Sequence, residues 1–560
     1  MTKHFNVRKF SGDAEPQYQP KIDALAPLAY CSAKTAPLML ITGDRTLEFP
    51  CRVEENEFMA ASMKKLVNTE VAFRELPCRT HVTVLGPSYA IIRDFIRSHC
   101  GAGVCIDEQP VAQLKRRLAG EGPGGVWTIG CEVLDRELAV FREYKDYLPQ
   151  LGIKRIRLQG GWARCEQEKG VYDFSWIDEP VDFCRTNNME VLLETSYGNP
   201  IYEGAGGWDL GGGFPSSAEG LAAWDRWVEA MAKHFKGRVT DWAMWNEPDL
   251  RNRTGRKTPE EIAAFNVRTA KIIKRIIPDA KISALSLANN SPELLESCLK
   301  GMAGDLDLFD SAIYHGYSQN PDDSYPAVEA QKKVLAKYAP HMSLRQGENG
   351  APSSLCTAYA LSNIPWNELS QAKYDIRRML GDLGHDVHSS VFTIMEYAQE
   401  NRPLNTKGLL AKTDDKKVKS VKTAFWAVAN VASVFDKTVV RVKDAEVRMT
   451  GRRPAAYVYT APGGRIVTFW DASRRPDETL HPQSGELTLS GAALKEPVLV
   501  DLITGEVFAV KPEFVSTANG VTTYRNLPVH DYPWLLAEKA ALRLDPAQSS
   551  LMELWRFDRM

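Results

Sequence analysis

Two short motifs hold the most specific chemistry in this 560-residue chain. Trp245-Asn246-Glu247-Pro248 and Arg345-Gln346-Gly347-Glu348-Asn349-Gly350 each set a glutamate just after an apolar, strand-like run. Two carboxylates facing each other across a cleft can divide the hydrolysis of a glycosidic bond with retention. One attacks the anomeric carbon; the other protonates the leaving oxygen and later activates water. Such pairs stand about 5 to 5.5 Å apart. An ionised nucleophile raises the pKa of its partner and keeps it protonated, while hydrogen bonds and a nearby cation keep the nucleophile charged. Asn246 can donate a hydrogen bond to a sugar hydroxyl, and Pro248 ends the strand and fixes the turn. The two carboxylates supply proton transfer and covalent catalysis themselves, so neither a metal nor an organic cofactor is required.

The elements that must position these residues are legible as a repeat. Short apolar runs alternate with longer amphipathic stretches, the mark of βα units on a parallel sheet. Eight strands are expected, at 126–131, 153–158, 190–195, 239–245, 282–287, 308–314, 342–346 and 390–395. Eight units with no G-x-G-x-x-G turn and no P-loop favour a closed (β/α)8 barrel over an open nucleotide-binding sheet. Capping boxes are expected at Ser216 with Glu219 and at Thr258 with Glu261, with Pro259 at the first helical position. Trp224, Trp227, Val228, Met231 and Phe235 form one stripe at helical period, suited to the outside of a barrel. Glu247 and Glu348 then lie at carboxyl ends of the fourth and seventh strands, where a barrel presents its chemistry. The glycines 211–213 read as a rim segment, and the pair His385 and His388 as a loop at the opposite end.

Around this barrel, taken as residues 121–436, the sequence divides further. Residues 437–540 are rich in short β runs, at 456–460, 465–470 and 497–501, with turns expected at Gly463-Gly464, Ser484-Gly485 and Thr504-Gly505. That spacing suggests an antiparallel β-sandwich covering one side of the barrel. Residues 1–120 read as an accessory α+β region, with strands at 37–42 and 81–85 and a helix at 89–98. The tail, 541–560, ends in an amphipathic piece at 551–557 suited to docking on a neighbour, so a homo-oligomer is among the expected states.

An Asn-Glu pair after strand four with a Glu after strand seven resembles the arrangement of glycoside hydrolase clan A. The stretch 153–400 is similar to family 39 within it, and families 5, 42 and 51 share the two glutamates. The resemblance implies Glu247 as general acid/base, Glu348 as nucleophile and retention at a β-type linkage. It also implies a cation near Glu348, for which Arg157 is the choice, although Arg155 points the same way by alternation. His315 and Tyr317 match the clan's residues that contact the nucleophile and the sugar. Glu396, where clan members often carry a Trp, is a candidate for binding a hydroxyl pair. Trp162, Trp208, Trp245 and Trp366 are candidate stacking platforms.

Composition narrows the partners. A quarter of the residues are charged, the formal net charge is -2, and nothing calls for nucleic acid or an anionic membrane. No apolar run near the start suits a signal or membrane helix, so a cytoplasmic setting is expected. Ten cysteines at irregular spacing give no disulfide framework, and Cys78, His81, His99, Cys100 and Cys105 lack the paired knuckles of a zinc site. Carbohydrate is the expected partner. Long loops at 204–217 and 351–367 favour exo action on oligosaccharides or small glycosides over an endo-acting glycanase. A noncatalytic carbohydrate-binding protein is the rival from another class, and two glutamates at catalytic positions argue against it.

Overall fold

The computed structural model describes residues 37–49, 51–65, 70–84, 88, 91–92, 95, 105–106, 109–251, 253, 255–479 and 483–547. The chain divides into a large unit, Val104–Ala547, and a small N-terminal one.

The large unit is built on the eight expected parallel strands: β1 (Trp127–Gly130), β2 (Arg155–Gln159), β3 (Glu190–Glu194), β4 (Asp241–Ala243), β5 (Lys281–Leu287), β6 (Ser311–Tyr314), β7 (Ser343–Gln346) and β8 (Ser389–Val391). They pair in sequence order, and β8 returns to pair with β1. The last seam, between β7 and β8, is closed by the bridges Arg345–His388 and Asn349–Val391. The sheet is thus a barrel, as the repeat predicts.

The helices cover it with the stripes read from sequence. In the helix Ala218–Phe235, the side chains of Trp224, Trp227, Val228, Met231 and Phe235 are all fully buried. Its N-cap is Ser217, which accepts from the Gly220 amide. The expected cap, Ser216, lies one residue too early, because adjacent serines offer the same chemistry and only the turn geometry chooses. The Thr258–Glu261 capping box and the first-turn Pro259 are as expected.

After the barrel the chain forms two antiparallel sheets, of eight and four strands. Expected strands appear as Pro454–Ala461, Gly464–Asp471 and Pro497–Asp501. The expected turn at Ser484-Gly485 lies instead inside the strand Gln483–Ser490, where the register shifts. Gly485 is needed there because a side chain would collide with Val529. The eight-stranded sheet also takes in Ala112–Leu114, from before the barrel, between Glu506–Ala509 and Leu544–Pro546.

Helix Glu368–Gly384 joins the barrel to these sheets. Its Lys373 ammonium lies 2.9 Å from Asp531, and Arg377 donates to Asp322 at 2.6 Å and to the Arg474 carbonyl at 2.8 Å. Lys373, Arg377 and Asp531 are essentially without solvent exposure.

In the small unit, Leu38–Thr42 and Val71–Glu75 pair in parallel and are linked through the helix Arg52–Lys65. Ala60, Met63 and Val71 form its core. The first strand is where the sequence places it. The second is not at 81–85: residues 81–84 form a turn whose Val82 is exposed, so no face buries it, and Leu85 lies outside the described residues. Most of the expected helix 89–98, the tail piece 551–557, His99 and Cys100 also lie outside them. No helix among the described residues is long and apolar enough to cross a membrane.

Removing one partner of a buried ion pair leaves the other charged and desolvated, at a cost of about 3–5 kcal/mol. Lys373→Met is therefore expected to lower the chemical-denaturation midpoint strongly, while Lys373→Met with Asp531→Leu recovers most of the loss. A single variant as stable as the wild type would show that the pair does not hold the two parts together.

Candidate active site

The strand ends converge on a cleft of about 630 Å³ lined by Glu132, Tyr197, Asn246, Glu247, Tyr317 and Glu348, among others. Glu247 follows β4 in a left-handed backbone conformation, φ +50°, unusual for a residue with a Cβ. Its neighbours hold that shape. The Glu247 amide donates to the Ser286 carbonyl at 2.9 Å, and the buried Asp249 accepts from the Ala288 amide at 2.7 Å and the Asn289 side chain at 2.6 Å. Glu348 follows β7, where a side chain at Gly347 would collide with Ile313. Asn349 donates to Gln346 Oε1 at 2.6 Å and to the Ser390 carbonyl at 2.9 Å, locking the loop to β8.

Donor atoms of Glu247, His315 and Glu348 all lie within 4.8 Å of one another. The two carboxylates therefore approach as closely as a nucleophile and its acid/base partner need. A set of two carboxylates and a histidine could also be read as metal ligands. Here the Arg157 guanidinium, 3.0 Å from Glu348, already supplies a positive charge at that place.

Arg157, on β2, is 1 % exposed. Its Nη1 donates to Glu348 Oε2 at 3.0 Å and Glu132 Oε1 at 2.9 Å; its Nη2 donates to Glu194 Oε2 and Asn246 Oδ1, each at 2.6 Å. The sequence left Arg155 as the alternative. That residue sits two positions earlier and pairs with Glu190 at 2.8 Å and Asp241 at 3.2 Å, away from the cleft lining. Tyr317 donates to Glu348 Oε1 at 3.0 Å, and a 2.8 Å hydrogen bond joins His315 Nδ1 to Glu247 Oε1. Asn246 completes the set by donating to the Tyr197 hydroxyl at 2.9 Å.

These contacts push the two carboxyls apart. Burial alone would raise Glu348, but the charges of His315 and Arg157 and the hydrogen bonds from Arg157 and Tyr317 outweigh it and hold the group below its ordinary value. For Glu247 burial dominates, supported by the charge of Glu348 and opposed by His315, so its pKa is raised. His315 is raised too: burial opposes its charge, but the two carboxylates outweigh that. Glu132 is pushed up by burial to about 7, despite Arg157 beside it.

Two other sequence candidates are placed elsewhere. Trp162 is fully buried, stacked between Tyr202 and Trp227, with its indole N–H donating to Glu166 at 2.6 Å. Glu396 is buried in an ion pair with Lys422 at 2.5 Å, which uses the charge offered to a sugar hydroxyl in the sequence reading. Of the remaining tryptophans, Trp245 and Trp366 are buried. Trp208 is 51 % exposed and lines a second cavity, of about 280 Å³, which shares Arg136 and Tyr197 with the cleft.

Sequence reasoning missed Glu132, Glu194, Tyr397, Arg402 and Lys407. Glu194 ends β3, and Glu132 stands two residues beyond β1. A scan for carboxylates at every strand end, the signal that found Glu247, finds both. Lys407 and Arg402 lie on a hairpin rim after β8 that carries no strand signal of its own. Lys407 is 1 % exposed, and burial pushes its ammonium down to about 8 against the charges around it.

No family model matches the chain. Among curated proteins it is 30% identical over 73 residues to beta-galactosidase BgaA of Clostridium cellulovorans, a stretch that is 12% of this chain and 11% of that one. The chain thus matches only about a tenth of the length of this relative. Among solved structures, a family 39 glycoside hydrolase from the gut symbiont Bacteroides cellulosilyticus WH2 is similar at TM-score 0.54 and 17% identity, over 76% of this chain and 83% of that chain. A family 39 enzyme from Xanthomonas axonopodis pv. citri is similar at TM-score 0.50 and 15% identity, over 78% of this chain and 98% of that chain. The resemblance to family 39 read from the motifs holds at the level of the fold.

Removing a hydrogen bond to an ionised carboxylate costs enough to raise its pKa by about one unit. Tyr317→Phe is expected to move the Glu348 titration upward by that amount, followed by NMR of carboxyl-labelled glutamate. An unmoved titration would show that the hydroxyl does not hold the charge.

Proposed function

We propose that the protein is a retaining glycoside hydrolase, with Glu348 as nucleophile and Glu247 as general acid/base. The observation that carries the reading is the pair itself: two carboxylates within 4.8 Å at the mouth of the barrel, with pKa values driven in opposite directions. The protein holding one carboxyl charged and the other protonated is what the first step needs.

In that step a carboxylate oxygen of Glu348 bonds to the anomeric carbon while the bond to the leaving oxygen breaks. Glu247 gives its proton to that oxygen, and a glycosyl ester of Glu348 forms. The ester has no negative charge, so the electrostatic push on Glu247 falls and it stays ionised. It then takes a proton from water, whose oxygen displaces Glu348 from the sugar. Two inversions give net retention. Asn246, held between Arg157 and Tyr197, is placed to contact a hydroxyl of the bound sugar. Tyr317 and Arg157 keep the leaving carboxylate oriented for both displacements.

The cleft also favours exo action on small glycosides. Its volume is that of a small-ligand site, and Tyr359 and Ala360 of the loop 351–367, with Gln399 and Arg402 of the hairpin, wall it on one side. A β-type linkage comes from the resemblance to clan A. An open groove for a polymer is the feature an endo-acting enzyme would need instead.

Hydrolysis of a panel of aryl β- and α-glycosides, with the product anomer followed by NMR, tests the reading. Retained configuration is expected, with Glu247→Gln and Glu348→Gln each losing about 10³-fold or more in kcat. The pH profile should be bell-shaped: activity falls on the acid side as Glu348 gains a proton, below the ordinary carboxylate range. It falls on the alkaline side as Glu247 loses its proton, above that range. Inverted product, or variants as active as the wild type, would remove the two glutamates from these roles. Binding of sugars with no turnover of any panel member would favour the noncatalytic reading.

A further inference from the structure

We propose that the sugar seated against Glu348 carries a carboxylate, so that the substrates are glycosides of an acidic sugar. The inference rests on the hydrolase reading above and names its substrate class.

Two cations lining the cleft, Lys407 and Arg402, have no carboxylate partner among the described residues. Arg136, also in the lining, lies 3.2 Å from Asp135, and the buried Arg157 is shared among Glu132, Glu194 and Glu348. Lys407 is 1 % exposed, and among the described residues its ammonium makes one hydrogen bond, to the Ala360 carbonyl at 2.6 Å. An ammonium has three donors, and burying one with a single neutral acceptor is costly unless an anion completes its surroundings. The fully buried Asp375 forms no ion pair with it among the described residues; its Oδ1 instead accepts from the Ala351 amide at 3.2 Å. Lys422, a second buried ammonium in the same region, shows the usual solution, an ion pair with Glu396 at 2.5 Å. Among the described residues Lys407 has no such ion pair, and carboxylates such as Glu348 act on it only through their charge.

The placement points at the sugar bound by the nucleophile. The Lys407 ammonium lies 5.7 Å from the Tyr317 ring centre and 5.9 Å from that of Tyr359. Tyr317 is the residue that donates to Glu348, and Arg402 lies 5.9 Å from the same Tyr359 ring. The two cations therefore border the wall next to the reacting carbon. The backbone of Lys407 is fixed: its amide donates to Asn405 Oδ1 at 3.3 Å, and its carbonyl accepts from Gln371 at 2.9 Å. A carboxylate on C5 of a pyranose would complete the ammonium with a charge-assisted hydrogen bond. A hydroxymethyl group in its place leaves the charge uncompensated.

The test measures kcat/KM on matched pairs of aryl glycosides that differ only in carboxylate or hydroxymethyl at C5. Wild type, Lys407→Met, Lys407→Arg and Arg402→Gln are compared, with calorimetric titration of the free uronic acids. The wild type should prefer the acidic member by about tenfold or more, and Lys407→Met should erase most of that preference. Lys407→Arg should keep part of it, and Arg402→Gln should reduce it. Arg402 is exposed, so its variant carries the test if Lys407→Met does not fold. Better cleavage of the neutral member by wild type overturns the inference and leaves the hydrolase reading standing. So does an acid-to-neutral ratio unchanged in both charge-removing variants. Uronate binding that Lys407→Met abolishes, without turnover of any glycoside, supports the charge match and rejects the hydrolase reading.

Discussion

One buried guanidinium organises this site. Arg157 sits inside the barrel against three carboxylates and an amide, with 1 % of its surface exposed. An isolated charge in that position would be prohibitively desolvated, and three clustered carboxylates without it would repel each other. The cluster exists because each group answers the others. One cation is shared among three carboxylates, and Glu132 is pushed up to about 7, mainly by burial, with the charges of Glu348 and Glu194 adding to it. The nucleophile candidate escapes it because His315 and Tyr317 add to the support it receives from Arg157.

The same constraint shapes the backbone around the site. A barrel closes by main-chain bonding, but the β7–β8 seam, beside Glu348, is held by few backbone bridges. Side-chain amides complete it: Gln346 donates to the His315 carbonyl at 2.8 Å, and Asn349 ties it to β8. Tyr359 and Ala360 of the loop 351–367 that follows line the cleft, while the helix Glu368–Gly384 behind it is pinned by Arg377 and Arg378. Polar networks of this kind hold the backbone under the nucleophile.

How much of this was legible in the sequence depended on whether the cause was local. All eight strands and the Thr258–Glu261 capping box were readable, because alternation of apolar runs, Thr258, Glu261 and Pro259 act within a few residues. The positions of Glu247 and Glu348 beside one cleft were readable because strand ends fix where side chains emerge. Tryptophan is ambiguous in kind. Trp162 looks like a sugar platform from its loop position, and only the packing of Tyr202 and Trp227 against it decides for the core. The ion pair of Glu396 was hidden for the same reason, since its partner, Lys422, is distant in sequence and adjacent only after the rim hairpins fold. The strand Ala112–Leu114 is too short to signal itself, and its sheet partners, Glu506–Ala509 and Leu544–Pro546, lie at the far end of the chain beyond the barrel.

That short strand has a bearing on synthesis. Because Ala112–Leu114 lies between Glu506–Ala509 and Leu544–Pro546, the barrel is inserted into a sheet that takes one inner strand from before it and the rest from after it. A chain emerging from the ribosome exposes this strand long before its neighbours exist. Vectorial folding must therefore complete the barrel first and wait for the last strands to capture the earlier one. Until then the unpaired edges are open to pairing with another nascent chain, a hazard that ends only when residues near 546 leave the exit tunnel.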